Sequence, residues 1–437
     1  MTGAGRTDFD VAVIGAGLAG LVSAITAARE GASVVLIDAR SPGGRARSDQ
    51  RSGYTFNQGP HALYRAGAGA AVLQRLGLSY SGAPPHTRVA GYYEASWHLG
   101  VMPTSGLSLL RSDLAGGADK IRLGRLLTTI GRLDPSSLGG QSAQAWIRSR
   151  HLGEGGSAVL SALVRVATYA GDLRSISADA AVSQLQLVLR GNVIYLDGGW
   201  QTLVDGLLAM AKSGGARVIT GARISPLGRA PAPAPAGHRS WSISSPTMNV
   251  HAAAVVIAVG SSRAAAALVP GEPNWDLCQP VTAACLDLGL RKPPTTRVAF
   301  GLDQPLYLST HSPNARLAPN GGAMVHVMRY GARSAAEDRA QLWSFAQRCG
   351  ITPDDVVSQR FLHEMTVYGA APAPGAGLAG RPSITSTGLP GGFVAGDWVG
   401  PVGLLADAAM SSGESAGTAA ARSSMSLRSG RDGMVAV

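Results

Sequence analysis

Apolar positions at the start of the chain fall into two short runs with a helical pattern between them. Residues 10–15 (DVAVIG) and 33–38 (SVVLID) are almost wholly apolar, and residues 18–30 repeat apolar positions at helical spacing before Gly31. Strands that are apolar on both faces are typical of a parallel sheet covered by helices. The pattern therefore predicts a strand-helix-strand unit and an α/β fold.

The rest of the chain alternates between helical and strand patterns. Apolar residues recur at helical spacing from about residue 107 to residue 190, which predicts a helical insertion. Strands are predicted at residues 217–224, 240–244, 253–260, 298–300, 323–328 and 392–397. The run APAPAPAG at 230–237 is predicted to be an exposed hairpin tip, and residues 404–421 a helix of small residues before a disordered polar tail.

Composition limits the class of protein. The 437 residues suffice for about two packed units, and 45% hydrophobic with 15% charged residues excludes a disordered chain. The net charge is +11, but the arginines are not clustered with aromatic residues, so no nucleic-acid partner is expected. Cys278, Cys285 and Cys349 lack metal-binding spacing, so we expect free thiols and no metal site.

Two features bear on where the protein acts. No apolar run reaches the ~18–20 residues that span a bilayer, and the polar first eight residues lead straight into a predicted strand, so a cytoplasmic location is expected. Residues 120–132 alternate basic and apolar positions, which is compatible with peripheral contact with an anionic membrane. A solvated helix face is the commoner explanation of such a pattern. The sequence leaves the oligomeric state open.

The loop between the first strand and helix carries the clearest chemical signal. It reads Gly15-Ala-Gly17-Leu-Ala-Gly20, and Asp38 ends the second strand. Gly15 permits the tight turn, Gly17 lets the backbone approach a diphosphate, and Gly20 lets the helix pack closely. The helix N-terminus offers amides to phosphate, and an acid at position 38 suits an unphosphorylated ribose, as in FAD or NAD. The predicted dinucleotide contacts here are Gly15, Gly17, Leu18, Ala19, Gly20, Asp38, Ala39 and Arg40.

The same six letters recur at residues 375–380. There they follow Ala-Ala-Pro-Ala-Pro rather than a strand, and Arg381-Pro382-Ser383 stops any helix that would follow. A surface loop without a ligand is therefore predicted for the second hexapeptide. Since only one such loop lies between a predicted strand and helix, a second dinucleotide site is not expected.

Three further segments, considered together with the first glycine-rich loop, resemble a known family. They are Pro42-Gly43-Gly44-Arg45-Ala46-Arg47-Ser48, Tyr195-Leu-Asp-Gly198-Gly199-Trp200, and Phe393-Val-Ala-Gly396-Asp397-Trp398 with Gly403-Leu404-Leu405-Ala-Asp407. Together the four segments resemble the flavoprotein superfamily of amine oxidases, protoporphyrinogen oxidase and, most closely, phytoene-desaturase-like enzymes. The resemblance implies a discontinuous Rossmann-like FAD-binding domain in an α/β fold, with a mixed α+β substrate or cap domain.

The resemblance also implies how FAD is held. The last helix contains no cysteine, so the flavin is expected to be noncovalent. The GGR segment would meet the diphosphate or the flavin, the segment near residue 223 the adenine, and the final helix the pyrimidine edge of the flavin. The further residues expected at FAD are Gly44, Arg45, Ala46, Gly59, Pro60, His61, Arg223, Ile224, Gly260, Gly396, Asp397, Gly403, Leu404 and Leu405.

The same resemblance divides the chain into domains. Residues 1–85, 195–265 and 385–422 are assigned to the FAD-binding domain, the last of them with the flavin-capping helix. Residues 86–194, which are mainly helical, and residues 266–384 are assigned to the substrate domain. Residues 423–437 are assigned to a disordered tail.

Catalysis is expected to need few side chains, because a flavin itself accepts the hydride. His61, in the segment that the resemblance places beside the flavin, is the candidate for proton exchange, and a structural histidine bonded to a loop carbonyl is the equal alternative. Candidates for a substrate pocket are Tyr92, Tyr93, Trp97 and Tyr368, although core packing is the favoured explanation of all four.

The expected substrate is an apolar small molecule, such as an isoprenoid or a secondary metabolite, that loses a hydride in a C–C dehydrogenation. The aromatic content of 5% mildly favours this reaction over amine oxidation, since amine oxidases usually frame the flavin with aromatic walls. Three alternatives stay open: an amine (C–N) oxidase, a redox-neutral flavin-dependent isomerase, and a non-catalytic flavin-binding protein.

Overall fold

The computed structural model describes residues 8–96, 98–229, 241–269, 275 and 278–432. The strands are β1 (Asp8–Ile14), β2 (Val34–Ile37), β3 (Ser48–Arg51), β4 (Tyr54–Asn57), β5 (Leu63–Tyr64), β6 (Gly82–Ala83), β7 (Ala90–Tyr93), β8 (His98–Val101), β9 (Val193–Leu196), β10 (Arg217–Ile219), β11 (Gly228–Arg229), β12 (Trp241–Ser245), β13 (Met248–Ile257), β14 (Val281–Leu290), β15 (Val298–Gly301), β16 (Leu306–Thr310), β17 (Ala323–Tyr330), β18 (Val356–Tyr368) and β19 (Gly392–Val394). The helices are α1 (Leu18–Arg29), α2 (Ala68–Leu76), α3 (Gly106–Arg111), α4 (Gly117–Thr129), α5 (Ala143–Arg148), α6 (Glu154–Thr168), α7 (Ala178–Gly191), α8 (Gln201–Ser213), α9 (Ser262–Ala266), α10 (Ala335–Arg348) and α11 (Leu405–Asp432).

The first sheet is built around β1 and confirms the predicted α/β class. Its order is β10-β2-β1-β13-β12-β11, with β19 beside β13, and β1 runs parallel to both β2 and β13. Alternate residues of β1 point to opposite faces: Val11 and Val13 enter one apolar core, Ala12 and Ile14 another. The strand is apolar throughout because both of its faces are buried.

The second sheet has seven strands and lies apart from the first in strand order. Its order is β18-β14-β17-β16-β15-β7-β8, and it is mixed, since β7 pairs with β15 in parallel while the other pairs are antiparallel. One face packs against the helical insertion and the other against α10. The predicted helical insertion is present as the consecutive helices α3 to α7.

The first and last helices pack against each other in the dinucleotide-binding domain. The Ser23 hydroxyl on α1 donates to the Gly413 carbonyl oxygen on α11 at 2.9 Å. A Cβ atom at Gly413 would overlap the Ala19 carbonyl oxygen, and one at Gly417 would come 2.5 Å from the Ser23 carbonyl oxygen. Small residues on α11 therefore allow two segments almost 400 residues apart to lie in direct backbone contact.

Two boundaries that the sequence predicts, the end of the strand at 217–224 and the end of the last helix, differ from the structure. The strand predicted at 217–224 ends at Ile219, because the chain turns at Gly221, whose φ is +75°. The last helix continues beyond residue 421 to Asp432, so residues 423–432 are helical rather than disordered. The continuation follows from burial, since Ala420, Ala421 and Ser424 are completely covered.

Some predictions fall on parts of the chain outside the described residues. They are the hairpin tip at 230–237, the aromatic residue Trp97 and the end of the tail at 433–437. Within the described part of the chain, no helix combines the length and apolar character required to cross a membrane.

Candidate cofactor and substrate site

The glycine-rich loop after β1 is shaped by close backbone contacts. Gly15 has a φ of +104°, in the left-handed region that favours glycine. A Cβ atom at Gly15 would overlap the Ala258 carbonyl oxygen, and a Cβ atom at Gly20 would overlap the carbonyl oxygen of Gly15 itself. These two glycines are therefore required by packing within the protein.

Gly17 has a different environment. A Cβ atom placed there would meet no atom of the described residues within 4 Å, so the space in front of its backbone is open. Gly17 precedes α1, and within the described part of the chain no side chain caps that helix, which leaves its first amides available to an anion. A Cβ atom at Gly44 would lie 3.6 Å from the Gly17 Cα, so the GGR segment borders the same opening.

Asp38 holds the turn of the loop from the neighbouring strand. Its Oδ2 accepts a hydrogen bond from the Ala16 amide at 2.6 Å, and its Oδ1 accepts one from the Arg40 amide at 2.7 Å. The Asp38 backbone also bonds to residues 219 and 222, which brings the segment with Arg223 and Ile224 alongside. Ala39, Arg40 and Arg223 are exposed, while Ile224 is half-buried.

Arg45 joins the GGR segment to the C-terminal part of the domain. Its two terminal nitrogens contact the Asp397 carboxylate at 2.7 and 2.9 Å, and one of them also donates to the Gly260 carbonyl oxygen at 3.2 Å. Asp397 is buried, whereas about a third of the Arg45 side chain is exposed, at 35%. The pair thus places Gly44, Gly260 and Asp397 around one opening.

The turn into α11 is strained at the position expected to cap the flavin. Leu405, the first helical residue, has a φ of +55°, which side chains rarely adopt, and Gly403 has a φ of +60°. Leu404 is buried. Asp407 accepts a hydrogen bond from the Gly69 amide at 2.8 Å, and burial raises the pKa of its carboxyl to about 6.

Arg381 is a structural contributor that the sequence did not identify. Its guanidinium donates to the Asp397 carbonyl oxygen at 3.2 Å and to the Gly403 carbonyl oxygen at 2.7 Å. The side chain is buried, and this burial lowers its pKa to about 10. Arg381 therefore supports the whole turn from Asp397 to α11. Its only sequence signal was its place directly after the second hexapeptide.

The second hexapeptide forms a loop, as predicted. It contains a short 3-10 helix at Leu378–Gly380 instead of a strand-turn-helix arrangement. The Leu378 amide donates to Asp179 Oδ2 at 2.8 Å, and the Gly375 amide donates to the Gly139 carbonyl oxygen at 2.9 Å. This loop is anchored to the helical insertion.

His61 lies in the segment between β4 and β5, next to Trp200. Its Nδ1 is 3.2 Å from the Gly59 carbonyl oxygen, and its ring meets the edge of Trp200 at a centroid distance of 5.1 Å. Burial lowers the pKa of His61 to about 4, so the imidazole is neutral at pH 7. Gly59 and Pro60 are buried beside it.

Six buried tyrosines gather near this histidine, and we call them the tyrosine cluster. Tyr169 reaches the Pro60 carbonyl oxygen with its hydroxyl at 3.4 Å, and its ring is 6.0 Å from that of Tyr330. Tyr307 lies 6.3 Å from Tyr330. Burial raises the pKa of every member, which keeps the hydroxyls protonated. The members are Tyr64, Tyr169, Tyr195, Tyr307, Tyr330 and Tyr368.

Because of this cluster, the low aromatic content of the chain no longer favours C–C dehydrogenation over amine oxidation. The chain has 10 tyrosines, and six of them lie in one buried region next to His61. A low overall percentage therefore says nothing about the walls of the site. No local sequence pattern marks these tyrosines, because they come from separate elements of both domains.

The structure places the four predicted pocket residues in different surroundings. Tyr92 packs against Phe345 at 5.1 Å in the apolar core on the α10 side of the second sheet. Tyr93 is half-buried against the helical insertion. Tyr368 belongs to the tyrosine cluster, and its buried hydroxyl has no hydrogen-bond partner among the described residues. Trp97 lies outside them.

A buried charged network adjoins the tyrosine cluster. Asp287 Oδ1 lies 2.6 Å from His326 Nδ1 and 3.1 Å from the Cys285 sulfur, while its Oδ2 pairs with Arg360 at 2.6 Å. Burial alone would raise the pKa of Asp287, but His326 and Arg360 outweigh it and hold that pKa low. The His326 ring is 4.4 Å from that of His311.

Cys285, Asp287 and His326 could together hold a metal ion, since their ligand atoms lie within 4.8 Å of one another. The spacing of the cysteines in the sequence did not indicate this grouping. However, the Arg360 guanidinium already neutralises the Asp287 carboxylate. We therefore interpret the group as a buried ion-pair network.

The comparisons with known proteins agree with this architecture. Residues 13–76 match the family described as NAD(P)-binding Rossmann-like domain. The chain is 34% identical over 96 residues to an uncharacterized protein in the nifH2 3' region of Methanothermococcus thermolithotrophicus, a match that covers 22% of this chain and 92% of that protein.

Two solved structures resemble the whole chain. An oxidoreductase from Methanosarcina mazei has a TM-score of 0.74 at 18% identity, with 94% of this chain and 99% of that chain covered. Wild-type putrescine oxidase bound to putrescine has a TM-score of 0.73 at 16% identity, with 95% and 99% covered. At these identities the likeness shows the fold, which is that of the superfamily that the sequence resembles.

Proposed function

We propose that this chain, which belongs to the same family as the uncharacterized Methanothermococcus thermolithotrophicus protein, is an FAD-dependent oxidoreductase that removes a hydride from a small molecule. One observation carries the proposal. Segments from the two ends of the chain meet at a single opening, bordered by Gly17 and Gly44 and joined by the contacts of Arg45 with Asp397 and Gly260. An extended two-phosphate ligand needs such a convergence of distant segments.

The residues at this opening fit FAD. The space in front of Gly17 and the uncapped start of α1 suit a diphosphate, and Asp38 suits a ribose without a 2′-phosphate. The exposed part of Arg45 leaves its guanidinium able to turn towards phosphate oxygens. Because α11 contains no cysteine, the group would be held noncovalently. When bound, FAD supplies the acceptor for a hydride.

The protein's own residues supply the surroundings of the reaction. The imidazole of His61 is neutral at pH 7 and only a weak base, since burial lowers its pKa to about 4, so it can serve as a neutral hydrogen-bonding group beside the reaction. The tyrosine cluster excludes water and offers a firm wall against which a substrate can be positioned. The start of α11 presents amides that favour negative charge on a reduced cofactor.

C–C dehydrogenation of an apolar small molecule is the first candidate reaction. Amine oxidation is the second, and the tyrosine cluster favours it more than the sequence did, because several tyrosine rings can surround a small cationic or neutral amine. The fold of putrescine oxidase is compatible with this second candidate. An isomerase or a non-catalytic flavin protein would give distinct results in the experiment below.

The test begins with the visible spectrum of the purified protein and the mass of its heat-released ligand. We expect flavin absorption and the mass of FAD; a colourless protein that takes up no added FAD would refute the proposal. Anaerobic mixing with apolar polyenes or with amines should then bleach the flavin for one class only. A product of unchanged mass identifies an isomerase, and flavin that no donor reduces identifies a binding protein.

A further inference from the structure

Arg165 on α6 places two guanidinium nitrogens in the interior of the protein without a partner. It is the only arginine or lysine of that helix. Its Nε and Nη1 atoms are both covered, yet neither has a hydrogen-bond partner among the described residues. Burial lowers the pKa of Arg165, because the charged form loses water. A guanidinium in such surroundings is normally paired, since an unpaired buried charge is costly.

The ionisable groups that act on Arg165 do not supply the missing anion. They are Tyr330 and Asp172. Tyr330 stays neutral, because burial raises the pKa of its hydroxyl well above 10. The Asp172 carboxylate is 50% exposed and is already bound by Arg174, whose Nε and Nη2 lie 3.0 and 3.1 Å from its two oxygens. Arg165 therefore keeps its capacity to bind an anion that is not part of the described chain.

The end of α6 brings Arg165 to the tyrosine cluster. The Tyr169 amide donates to the Arg165 carbonyl oxygen at 2.6 Å, so the two residues are one helical turn apart and their side chains share a face. The Tyr169 ring is 6.0 Å from that of Tyr330. The Tyr169 hydroxyl lies 3.4 Å from the carbonyl oxygen of Pro60, the neighbour of His61. The unpaired cation and His61 thus both border the same group of aromatic rings.

We propose that Arg165 binds a carboxylate of the substrate, so that the substrate is a small molecule that is apolar around the reacting carbon and acidic at one end. The Nε and Nη1 edge of a guanidinium can donate two parallel hydrogen bonds to the two oxygens of a carboxylate. The neutral tyrosine rings would cover the apolar part. A phosphate group carries about two negative charges and would need a second cation, which Tyr330 and Asp172 do not provide.

This inference rests on the proposed function, whose substrate it specifies. Arg165 would be a specificity-determining residue, since an uncharged analogue would leave the guanidinium unpaired. The inference holds for both candidate reactions, because the carboxylate stays unchanged while the hydride leaves another carbon. C–C dehydrogenation would then act on an apolar carboxylic acid, and amine oxidation on an amino acid.

The test is isothermal titration calorimetry of the purified protein with two acids, 4-phenylbutyrate and decanoate, and with the neutral amide of each. We expect at least one acid to bind at least roughly tenfold more tightly than its amide. Arg165→Met should abolish this preference and leave the affinity for the amide unchanged. Arg165→Lys should recover part of it, because lysine keeps the charge but not the forked geometry. Wild-type protein that binds neither acid more tightly than its amide, or a preference that survives Arg165→Met, would overturn the inference.

Stability separates ligand binding from a structural role. Arg165→Met replaces an unpaired, covered charge by an apolar side chain, so its melting temperature should equal or exceed that of the wild type. If Arg165 instead served to hold Asp172, both Arg165→Met and Asp172→Asn would lower the melting temperature, and the inference would fall. The matched control is Arg148→Met, at an exposed arginine on α5 of the same helical layer. It should leave all probe affinities unchanged, and a loss equal to that of Arg165→Met would reduce the effect to net charge and overturn the inference.

The calorimetric probes need no flavin reduction, so this inference and the proposed function fail separately. The visible spectrum of the same sample shows whether FAD is bound. A protein that contains FAD but has no preference for either acid overturns this inference alone. A protein that takes up no FAD but prefers an acid through Arg165 refutes the proposed function and supports the carboxylate site.

Discussion

The hexapeptide Gly-Ala-Gly-Leu-Ala-Gly occurs twice, at residues 15–20 and at residues 375–380, with two different structures. The first copy is a turn between a buried strand and a 12-residue helix, and the second is a surface loop with three residues of 3-10 helix. Each copy rests on a carboxylate: the Ala16 amide donates to Asp38, and the Leu378 amide donates to Asp179. The six letters alone decide neither structure nor role.

The flanking sequence and the neighbours account for the difference. The first copy follows the apolar strand β1, and its Gly20 packs against backbone inside the domain. The second follows alternating prolines and precedes Arg381-Pro382, which prevents a helix. Its loop is nevertheless structural, because Arg381 supports the turn from Asp397 to Gly403 that faces the proposed flavin site.

The largest expected difference is at the sixth position of the two copies. In Gly20→Val the added side chain would overlap the Gly15 backbone, which cannot move without breaking the turn, so we expect a loss of more than about 4 kcal/mol and no folded protein. In Gly380→Val the nearest obstacle is the Ala376 methyl group in an exposed loop, so about 1 kcal/mol is expected. Chemical denaturation measures both, and equal losses would contradict this account.

At the third position of the two hexapeptides, Gly17 and Gly377, one substitution should lower FAD affinity and the other should lower stability. A Cβ atom at residue 17 meets no atom of the described residues within 4 Å, so in Gly17→Val the melting temperature should hold while FAD affinity falls roughly 100-fold. Gly377 has a φ of +62° and faces Asp179, so Gly377→Val should cost about 2 kcal/mol with little change in bound flavin. Flavin absorbance per folded molecule measures the loss of FAD binding, and thermal unfolding measures the loss of stability. A Gly17→Val protein that binds FAD normally would show that the opening is not the diphosphate site.

Substitutions of the two carboxylates, Asp179 and Asp38, should likewise differ in whether they mainly lower stability or FAD affinity. Asp179 is buried and accepts bonds from Ser177, Ala180 and Leu378, so Asp179→Ala should cost about 2 kcal/mol of stability. Asp38 is half-buried and accepts two backbone bonds, from Ala16 and Arg40, so Asp38→Ala should cost about 1 kcal/mol of stability. Its larger effect should be on FAD binding, weakened by roughly tenfold, because the acceptor for a ribose hydroxyl is removed. Titration of the apoprotein with FAD measures the second effect. The reverse assignment of effects would contradict our interpretation of both loops.

A smaller effect is expected at Arg381, which follows the second copy and supports the proposed flavin site. Arg381→Met leaves the carbonyl oxygens of Asp397 and Gly403 without their donor, which should cost about 1 to 2 kcal/mol and raise the dissociation constant of FAD a few-fold. Arg381→Lys keeps a positive donor and should recover part of the FAD affinity. If Arg381→Met loses stability but binds FAD unchanged, the loop supports the fold and not the site.

The smallest effect concerns Asp407, which lies between Gly403, held by Arg381, and Gly413, held by α1. Burial raises the Asp407 pKa from 3.8 to about 6, so the folded state binds a proton more tightly than the unfolded state. The stability it contributes is complete below pH 3.8 and is lost as the pH rises through about 6. Asp407→Asn should therefore be more stable than wild type by about 1 kcal/mol at pH 7.5, but not at pH 4. A pH-independent difference would contradict this assignment.

Much of the dinucleotide-binding domain could be predicted from local sequence. The bounds of α1 and the apolar β1 follow from periodicity, and the positions of Gly15 and Gly20 follow from the turn that joins them. The tyrosine cluster could not be predicted, because Tyr169, Tyr307 and Tyr330 come from separate elements that only the packed sheet brings together. The surroundings of Tyr92 could not be predicted either, since strand alternation does not say which face of a sheet meets the site.

Local sequence specifies the α/β class, the strand-turn-helix at residue 15 and the loop at residue 375, because each depends on periodicity, glycine and proline within a few residues. Three other features depend on the assembled fold: Arg381 supports the turn before α11, six tyrosines surround one region, and Asp287 lies between His326 and Arg360. Side chains far apart in sequence meet through the packing of whole sheets and helices, and no local sequence pattern predicts that geometry.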